Sequence, residues 1–338
     1  MARVSLIMPV RNGAAFLEDA LTALCAQTYR DFELIICDND STDRTGAIAQ
    51  RFAQRDARIR YYRNAFDLGA APNYNLGFAL AEGEYVKWCA HDDLVAPDFL
   101  TGCIAALDRD PAAVLAYGTG RSIDAKGRPG AADMRLPDYA AAPPEKRFAM
   151  MMGILNDALI FGLWRAEALR GSGLHRRFYG SDRALLAEMA LKGRFVHVPE
   201  VLFYNRDHAG RSIHIDDKRA RAHWQSTDGA NRFGLEHWTL LLTLIAIAWR
   251  ARRTTQLHKS LGYLTLRALH PHQLARYGLE LLALPAPGLQ RHARNAMWAV
   301  IHAVRPPRTS RTPEATALTP PGADAAISDP AHAAHPFP

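Results

Sequence analysis

Two adjacent carboxylates, Asp92 and Asp93, follow the apolar run Tyr85–Cys89. Like charges placed so close repel each other, which makes the pair costly unless a cation lies beside it. Carboxylate oxygens are hard ligands that suit Mg²⁺ or Mn²⁺, and such ions are usually shared with the phosphates of a substrate. A solvated cap on the helix that begins near Pro97 explains the pair equally well, so both interpretations stay open at this point.

A second acidic segment, Asp38–Asp43, stands where a predicted strand ends and a helix begins. An ordinary N-cap and turn account for Ser41 and Asp43, but not for the density of acidic residues. We therefore keep a functional hypothesis beside the structural one, in which Asp38 accepts hydrogen bonds from the base or the ribose of a nucleotide.

Two further polar segments lie later in the chain. Asp182 precedes a helical pattern over residues 184–191 and is either a general base or an N-cap. Arg206 and His208 stand close together in a short polar segment. A guanidinium matches phosphate oxygens geometrically, so this pair suits a diphosphate, and a solvated loop is the alternative.

Strands and helices alternate over the first third of the chain, which predicts an α/β fold. The predicted strands are Val4–Val10, Phe32–Cys37, Ile59–Arg63 and Tyr85–Cys89, and the predicted helices are Ala14–Gln27, 41–55, Pro72–Ala81 and Pro97–Asp108. Such alternation builds βαβ units, a parallel sheet and right-handed crossovers. Ligands bind at the carboxyl ends of the strands in such sheets, and the polar segments after the first, second and fourth strands fall there.

Composition excludes several classes of protein. With 338 residues, 49% of them hydrophobic and 22% charged, the chain can form a sizeable core and is neither wholly disordered nor collagen-like. The four cysteines show no metal-binding spacing and indicate a reducing compartment. Together with an N-terminus that lacks a signal-peptide pattern, they predict a cytoplasmic protein. The motifs of dinucleotide-binding folds, P-loop proteins and serine hydrolases do not occur.

The net charge of +7 belongs to one segment. Residues 1–249 carry 30 basic and 30 acidic side chains, whereas residues 250–308 carry 10 basic side chains and one acidic side chain. This distribution argues against nucleic-acid binding by the body of the chain. The apolar run Leu235–Trp249 is too short to span a bilayer. Either it lies on the anionic inner face of a membrane, as Trp238, Trp249 and the basic residues suggest, or it packs on the main domain.

Five short motifs, taken together and in order, resemble the family 2 glycosyltransferases of the GT-A fold. They are Ser5–Gly13, Asp38–Asp43, Asp67–Gly69, Asn73–Gly77 and Ala81–Tyr85. The resemblance covers roughly residues 3–212 and implies a GT-A-like, mostly parallel sheet flanked by helices.

The resemblance also implies roles for individual residues. Asp182 would be the catalytic base, and Asp92 would hold the metal, Mg²⁺ or Mn²⁺, with help from Asp93. The residues implied in binding the nucleotide-sugar are Pro9, Val10, Asn12, Asp38, Asp40, Asp67, Asn75, His91, Asp92, Arg206 and His208. Asp67 replaces an asparagine that the family uses to contact the nucleotide.

Two positions depart from the family pattern. Ala90 stands where the first acid of the DxD motif is expected, and Ser181 stands where a glutamate usually precedes the catalytic aspartate. The metal would then be held mainly by Asp92 and the diphosphate, with Asp93 or His91 assisting, and Asp182 would act alone as the base.

The resemblance thus predicts an inverting enzyme that moves a sugar from a nucleoside-diphosphate donor, a UDP-sugar, to a hydroxyl of a glycan or lipid-linked acceptor. A catalytically impaired protein that binds sugar nucleotides or serves as a scaffold is the first alternative. A nucleotidyltransferase that makes the sugar nucleotide is the second, disfavoured because no Gly-rich triphosphate loop follows the first strand.

The chain is predicted to have three parts. Residues 1–215 form the GT-A domain, residues 216–304 a helical and basic extension, and residues 305–338 a disordered tail rich in Pro and Ala. Within the first part, the Pro/Ala/Gly-rich interval Lys126–Glu145 predicts one long loop.

Overall fold

The computed structural model describes residues 2–134, 139–153, 159–215, 217–228 and 235–282. Strands and helices alternate through the first part as predicted: β1 (Val4–Val10), α1 (Leu17–Cys25), β2 (Phe32–Asp38), α2 (Thr45–Arg55), β3 (Ile59–Arg63), α3 (Ala70–Leu80), β4 (Tyr85–Trp88), β5 (Leu94–Val95) and α4 (Phe99–Arg109). The following elements are β6 (Ala113–Ile123), β7 (Pro129–Met134), α5 (Pro144–Met150), β8 (Leu163–Arg165), α6 (Ala166–Leu169), α7 (Ser181–Lys192), β9 (Arg194–Arg206), α8 (Lys218–Gln225), α9 (Glu236–Arg250), α10 (Leu257–Ala268) and α11 (Pro271–Leu282). The predicted tail 305–338 lies outside the described residues.

The described strands form one sheet in the order β3-β2-β1-β4-β8-β6-β9-β5, with β7 beside β6. Strands β1 to β4 are parallel, in a register that pairs Val4 of β1 with Phe32 of β2 and with Tyr85 of β4. β8 lies antiparallel between β4 and β6, and β9 is parallel to β6. The chain builds outward from β1 to β3 and then crosses to β4, so β1 and β4 meet at the switch point where α/β sheets bind ligands.

The central strands are buried on both faces. All seven residues of β1 are buried, as expected for a parallel strand covered by helices on both sides. Alternate residues of β1 join different apolar clusters: Leu6 and Met8 pack with α1, α2 and α4, whereas Ile7 packs with α5, α7 and α9. Helices therefore cover both faces of the sheet, next to the edge at which the parallel strands end.

The interval 126–145 is not one long loop, and that prediction is wrong. It contains β7, which pairs antiparallel with β6 through a hairpin at Asp124. One carboxylate oxygen of Asp124 accepts hydrogen bonds from the backbone amides of Lys126 and Arg128, and Gly127 takes a φ of 78°. A side-chain-capped turn of this kind returns the chain into a strand, although the local composition resembles a loop.

Helices α9 and α10 each pack through one face on residues 2–206, which contain all the described strands of the sheet and which we call the sheet domain. Leu240, Leu244 and Ile247 of α9 are buried in the same apolar cluster as α7, and α10 adds Leu264 to that cluster. None of the described helices combines the length and the apolar character needed to cross a membrane. The predicted boundaries at residues 215 and 304 stay predictions.

A buried carboxylate joins α11 to the start of α9. Glu280, only 2% exposed, accepts hydrogen bonds from the backbone amides of His237 and Trp238, from His237 Nδ1 at 2.8 Å, and from Lys218 Nζ at 3.1 Å. Burial alone would raise the pKa of Glu280. The hydrogen bonds and charges of His237 and Lys218 outweigh this effect and lower the pKa. The ionised carboxylate therefore caps α9 and stabilises the helical extension.

Candidate functional site

The polar segments that follow β1, β2 and β4 meet at one edge of the sheet. The amide of Asn12 donates to Ser41 Oγ at 2.9 Å, and Asn12 Oδ1 accepts from the amide of Thr42 at 2.8 Å. On the other side, Gly13 packs so closely on His91 that a Cβ at position 13 would lie 2.4 Å from the ring. The turn after β1 is therefore clamped between the other two segments, with Asn12 in the left-handed region at a φ of 50°.

Pro9 and Val10 are buried within β1 beside Cys37 and Asp38 of β2. Their side chains belong to the sheet, so they position the turn that follows. That turn begins with Arg11, which is 47% exposed.

Asp38 is fully buried and has protein partners on both oxygens. Its Oδ1 accepts from the amide of Ser41 at 2.8 Å, and its Oδ2 accepts from the Tyr61 hydroxyl at 2.7 Å. Burial, followed by the bond to Asp38, raises the pKa of Tyr61 to about 12. The next acid, Asp40, takes a φ of 57° and pairs with the half-exposed Arg63 at 2.9 Å. Asp38 thus organises the turn, and Asp40 and Arg63 face solvent beside it.

Asp67 is brought to the same edge by Asn39. Asn39 Nδ2 donates to Asp67 Oδ1 at 2.6 Å, and Asn39 Oδ1 accepts from the amide of Leu68 at 2.9 Å. The second oxygen of Asp67 lies 3.2 Å from Arg11 Nε. The position where the family pattern has an asparagine therefore carries an acid paired with an exposed arginine.

Asn75 is engaged elsewhere. Its side-chain amide donates to the carbonyl of His175 at 2.8 Å and accepts from the amide of the same residue at 3.1 Å. The His175 ring lies against Tyr74 and Trp88, and burial, followed by the charge of Arg176, lowers its pKa to about 3. Asn75 therefore fixes the segment before α7, and its polar atoms do not join the cluster at Asp38.

Asp92 and His208 form a direct bond across 116 residues of sequence, with Asp92 Oδ2 at 2.8 Å from His208 Nε2. Their side chains are 15% and 12% exposed, and the His208 ring lies 4.5 Å from that of Phe16. Burial alone would raise the pKa of Asp92, but the charges of His91 and His208 and the bond to His208 lower it. Burial lowers the pKa of His91. The arrangement is an ionised carboxylate held against imidazole at the end of β4.

Asp93 points the other way. It is 9% exposed and accepts from the amide of Arg206 at 2.8 Å and from Asn205 Nδ2 at 3.3 Å. These bonds tie the segment after β4 to the end of β9, so the two adjacent acids have separate surroundings. The geometry favours Asp92 over Asp93 as a ligand.

Arg206 is 1% exposed, and its guanidinium contacts protein on three sides. It donates from Nε to the carbonyl of Asp92 at 2.8 Å, from Nη1 to the carbonyl of Ala125 at 3.0 Å, and from Nη2 to Asp19 at 3.2 Å. In this geometry Arg206 holds the Asp92 segment in place instead of presenting its charge to a diphosphate. Arg11 and Arg63 are cations at this edge that do face solvent.

Asp182 lies in the first turn of α7, half-buried, and forms no hydrogen bond or ion pair with another described residue. Its neighbour Ser181, at the position of the expected glutamate, is 2% exposed and accepts from Gln225 Nε2 at 3.0 Å. Ser181 is thus bonded to Gln225, whereas the side chain of Asp182 has no hydrogen-bond or ion-pair partner among the described residues. No contact in the described part joins Asp182 directly to Asp92 or His208.

A linking segment, Gln225–Thr227, joins the start of α7 to the Asp67 loop. Beyond its bond to Ser181, Gln225 donates to the carbonyl of Arg176, and Thr227 Oγ1 donates to the carbonyl of Asp67 at 3.0 Å. Between them, the backbone of Ser226 lies against Gly69, where a Cβ would be 2.5 Å from Ser226 Cα. The loop beside Arg11 and the helix that carries Asp182 are thus held by one short stretch of chain.

Sequence reasoning missed several of these residues. Tyr61 and Arg63 are two residues apart in β3, so their side chains lie on the same face of the strand. The parallel register places Arg63 opposite Asp38. The alternation of side chains along this strand was therefore the signal that could have identified both residues. Gln225 and Thr227 carry no such signal, because their partners lie far away in sequence.

The donor set suits a divalent cation only in part. Among the described residues, no group of three or more acidic, histidine or cysteine side chains converges on a common point. Mg²⁺ typically keeps several waters and takes one or two carboxylates together with substrate phosphates. The Asp92 carboxylate, with His208 beside it, therefore fits a cation held jointly with a diphosphate, not one held by protein alone.

Comparison with known proteins shows which family and which fold this chain resembles. Residues 5–161 match the family model described as Glycosyl transferase family 2. An uncharacterized glycosyltransferase of Rickettsia typhi is 36% identical over 124 residues, covering 36% of this chain and 38% of that protein. Glycosyltransferase GlyG of Streptococcus pneumoniae serotype 4 is 32% identical over 97 residues, covering 29% of this chain and 32% of that protein. The chain thus spans less than half the length of these relatives.

Among solved structures, S. aureus TarS residues 1–349 in complex with UDP-GlcNAc matches with a TM-score of 0.60 at 15% sequence identity, over 87% of each chain. The same protein without UDP-GlcNAc gives a TM-score of 0.58. Identity at this level speaks for the fold alone. Residues 5–161 therefore match glycosyltransferase family 2, and the α/β sheet of the chain has the GT-A fold.

Proposed function

We propose that the chain transfers a sugar from a nucleoside-diphosphate donor to a hydroxyl group of a glycan or lipid-linked acceptor, with inversion at the anomeric carbon. The observation that carries the proposal is the 2.8 Å bond between Asp92 and His208. It sets a carboxylate and an imidazole at the carboxyl edge of the sheet, beside the switch point where such folds bind ligands. The family 2 match over residues 5–161 supports the reaction class.

The donor is a UDP-sugar in this proposal. S. aureus TarS, which shares the fold, binds UDP-GlcNAc. In this chain the turns at Asn12 and Asp40 border the sheet edge, and Arg11 and Arg63 supply exposed positive charge beside them. Guanidinium groups pair well with phosphate oxygens. We assign the diphosphate to this edge, with Asp38 and Tyr61 shaping the site from below.

Asp182 is the base. Its carboxylate takes the proton from the acceptor hydroxyl while the hydroxyl oxygen attacks the anomeric carbon. The bond between that carbon and the diphosphate oxygen breaks in the same step, and the nucleoside diphosphate leaves with the electron pair. A positioned general base contributes roughly 10²–10⁴-fold to such a rate.

Asp92 and His208 are the residues that would hold a divalent cation, Mg²⁺ or Mn²⁺. When bound, such an ion neutralises negative charge on the leaving diphosphate. The guanidinium of Arg206 donates to the Asp92 carbonyl, and the backbone amide of Arg206 donates to the Asp93 carboxylate. These two hydrogen bonds keep the Asp92 segment in position. The protein thus supplies a fixed carboxylate, and the substrate supplies the remaining oxygen ligands.

A second candidate is a protein of the same fold that binds sugar nucleotides without transferring the sugar. Two replacements favour it: Ala90 removes one acid of the metal motif, and Ser181, buried against Gln225, removes the acid next to Asp182. Such a protein would bind the nucleotide equally well with and without the metal. The predicted cytoplasmic location stays a prediction under either candidate.

The test is thermal stabilisation by UDP, GDP and dTDP, each with and without Mn²⁺. A ligand at one hundred times its Kd stabilises the folded state by about 2.7 kcal/mol. We expect UDP with Mn²⁺ to raise the Tm of the wild type, and Asp92→Asn to lose that shift. Asp98→Asn is the matched control, because Asp98 is an exposed acid close by on the same segment.

Each outcome decides between the candidates. A shift that needs both Mn²⁺ and Asp92 supports the transferase, and a shift with GDP or dTDP instead corrects the donor. Binding that is indifferent to metal and to Asp92 supports the non-catalytic candidate. If no nucleotide stabilises the chain, the site assignment is wrong.

A further inference from the structure

Helix α9 has two apolar faces, and only one of them is covered. Leu240, Leu244 and Ile247 are buried against the sheet domain. On the opposite side of the helix, Leu242, Ile245 and Trp249 are 61%, 41% and 57% exposed. Their spacing of three and four residues aligns them in one stripe. We call this stripe the exposed α9 face.

The exposed α9 face ends in positive charge. Arg252 and Arg253 follow directly and are both exposed. The Arg252 guanidinium lies 4.7 Å from the ring of Trp249 and donates to the Trp249 carbonyl at 2.9 Å, which fixes the tryptophan and the arginine as one unit. An aromatic ring with an adjacent cation is the arrangement found where a side chain sits at the boundary between apolar and aqueous phases.

The next helix carries the same combination. On α10, Leu266 is 72% exposed, and Lys259 and Arg267 are exposed on the same helix. Glu280 is the one acidic residue between positions 250 and 282. It is buried, and its carboxylate accepts hydrogen bonds from His237 and Lys218. No exposed acidic side chain in this described stretch therefore offsets the basic charge.

We infer that the exposed α9 face, with Arg252 and Arg253, docks on an anionic lipid surface. Apolar side chains would enter the boundary of the acyl region, and the arginines would pair with anionic headgroups. The helix lies along the surface, since the other half of its circumference is occupied by the sheet domain. This inference stands on exposure and charge and does not depend on the transfer reaction proposed above.

The experiment is co-sedimentation of the full chain with vesicles. One vesicle preparation contains phosphatidylcholine alone, and in the other about 30% of the lipid is the anionic phosphatidylglycerol. The variants are Trp249→Ser and the double variant Arg252→Glu with Arg253→Glu. The matched control is Arg55→Glu with Arg109→Glu, which reverses the same number of exposed positive charges on helices of the sheet domain.

We expect the wild type to bind the anionic vesicles and not the neutral ones. Neutralising one arginine near such a surface weakens binding about fivefold, so reversing two weakens it by at least about 25-fold. Trp249→Ser should weaken binding about tenfold through lost apolar burial. Both sets should keep the wild-type circular dichroism, because every substituted side chain is exposed.

Three results would overturn the inference. The first is a wild type that does not bind anionic vesicles, and the second is an Arg55/Arg109 control variant that loses binding to the same extent as the Arg252/Arg253 variant. The third is a dimer in sedimentation velocity that Trp249→Ser converts to a monomer, which would assign the face to a second copy of the chain.

Discussion

Arg206 offers the sharpest test of the site, because sequence and structure give it different tasks. The sequence predicts a cation for the diphosphate, whereas the structure encloses the guanidinium between Asp92 O, Ala125 O and Asp19. We consider the change Arg206→Lys. It keeps the positive charge and removes the fork of donors that reaches all three partners at once.

The expected loss follows from those partners. Asp19 is 64% exposed, so its pair with Arg206 adds little. The two backbone carbonyls are the important acceptors, and a hydrogen bond from a charged donor contributes about 1.5–3 kcal/mol. A lysine ammonium replaces one of these bonds at best. Arg206→Lys should therefore lower the free energy of unfolding by about 2–3 kcal/mol, which corresponds to a fall in Tm of about 4–10 °C.

The assay is urea unfolding followed by circular dichroism, alongside nucleotide affinity measured by calorimetry. Arg194→Lys is the matched control, since Arg194 is half-exposed at the start of β9, outside the candidate site, and its substitution should leave stability and nucleotide affinity nearly unchanged. If Arg206→Lys is as stable as the wild type yet loses nucleotide affinity, Arg206 is a phosphate ligand and the positioning role is refuted. A stability loss with weakened metal-dependent binding is the result that we expect.

Three further changes test other parts of the chain. Asp182→Asn should reduce the rate of sugar transfer, measured by product release, by roughly 10²–10⁴-fold. The Kd for the nucleotide, measured by calorimetry, should not change. Activity equal to that of the wild type would remove Asp182 from the mechanism. Gly69→Ala should lower the free energy of unfolding in urea by more than about 1 kcal/mol, because φ at this position is 82° and Ser226 leaves no room for a Cβ. Gly262→Ala is the opposite case: a Cβ meets open space in α10, so this change should raise the free energy of unfolding by about 0.5–1 kcal/mol. Glu280, whose folded-state pKa is lowered, stabilises the protein above its unfolded-state pKa and loses this effect as the pH falls through the folded-state value. Wild type and Glu280→Gln should therefore differ in Tm at pH 7, and the difference should shrink as the pH falls below the ordinary pKa of a glutamate, about 4.3.

The first part of the fold follows from local sequence signals. Strands β1, β2 and β4 are short, mostly apolar runs separated by turn residues, and helices α1, α2 and α4 show an amphipathic period, so these elements were predictable within a few residues. β6, β7 and β9 were not predicted as strands. β9 contains Pro199 and exposed positions, and its pairing with β6 shifts register, so its pattern is not a clean alternation.

Sequence motifs single out individual residues of the candidate site, but not their arrangement. Asp92 and His208 each stand out in the sequence, yet their contact depends on how β9 returns beside β6 and β5. The task of Arg206 depends on burial, which motif spacing does not report. Asp93 shows the same limit, because two adjacent acids on a turn point in opposite directions. The roles assigned to Asp92 and Asp182 remain predictions for the experiments above.

The strand order has a consequence for synthesis of the chain. Only β5 and α4 separate β4 from β6 in sequence, but β8 lies between these two strands in the sheet. Among the described strands, β5 joins the sheet only through β9. A chain emerging from the ribosome therefore holds β4 and β6 with unpaired edges until residues 163–206 have been made. The stretch that matches the family model ends at residue 161, before either of the closing strands. The smallest unit of this chain that can seal its own sheet extends to Arg206, at the end of β9 and two residues before His208.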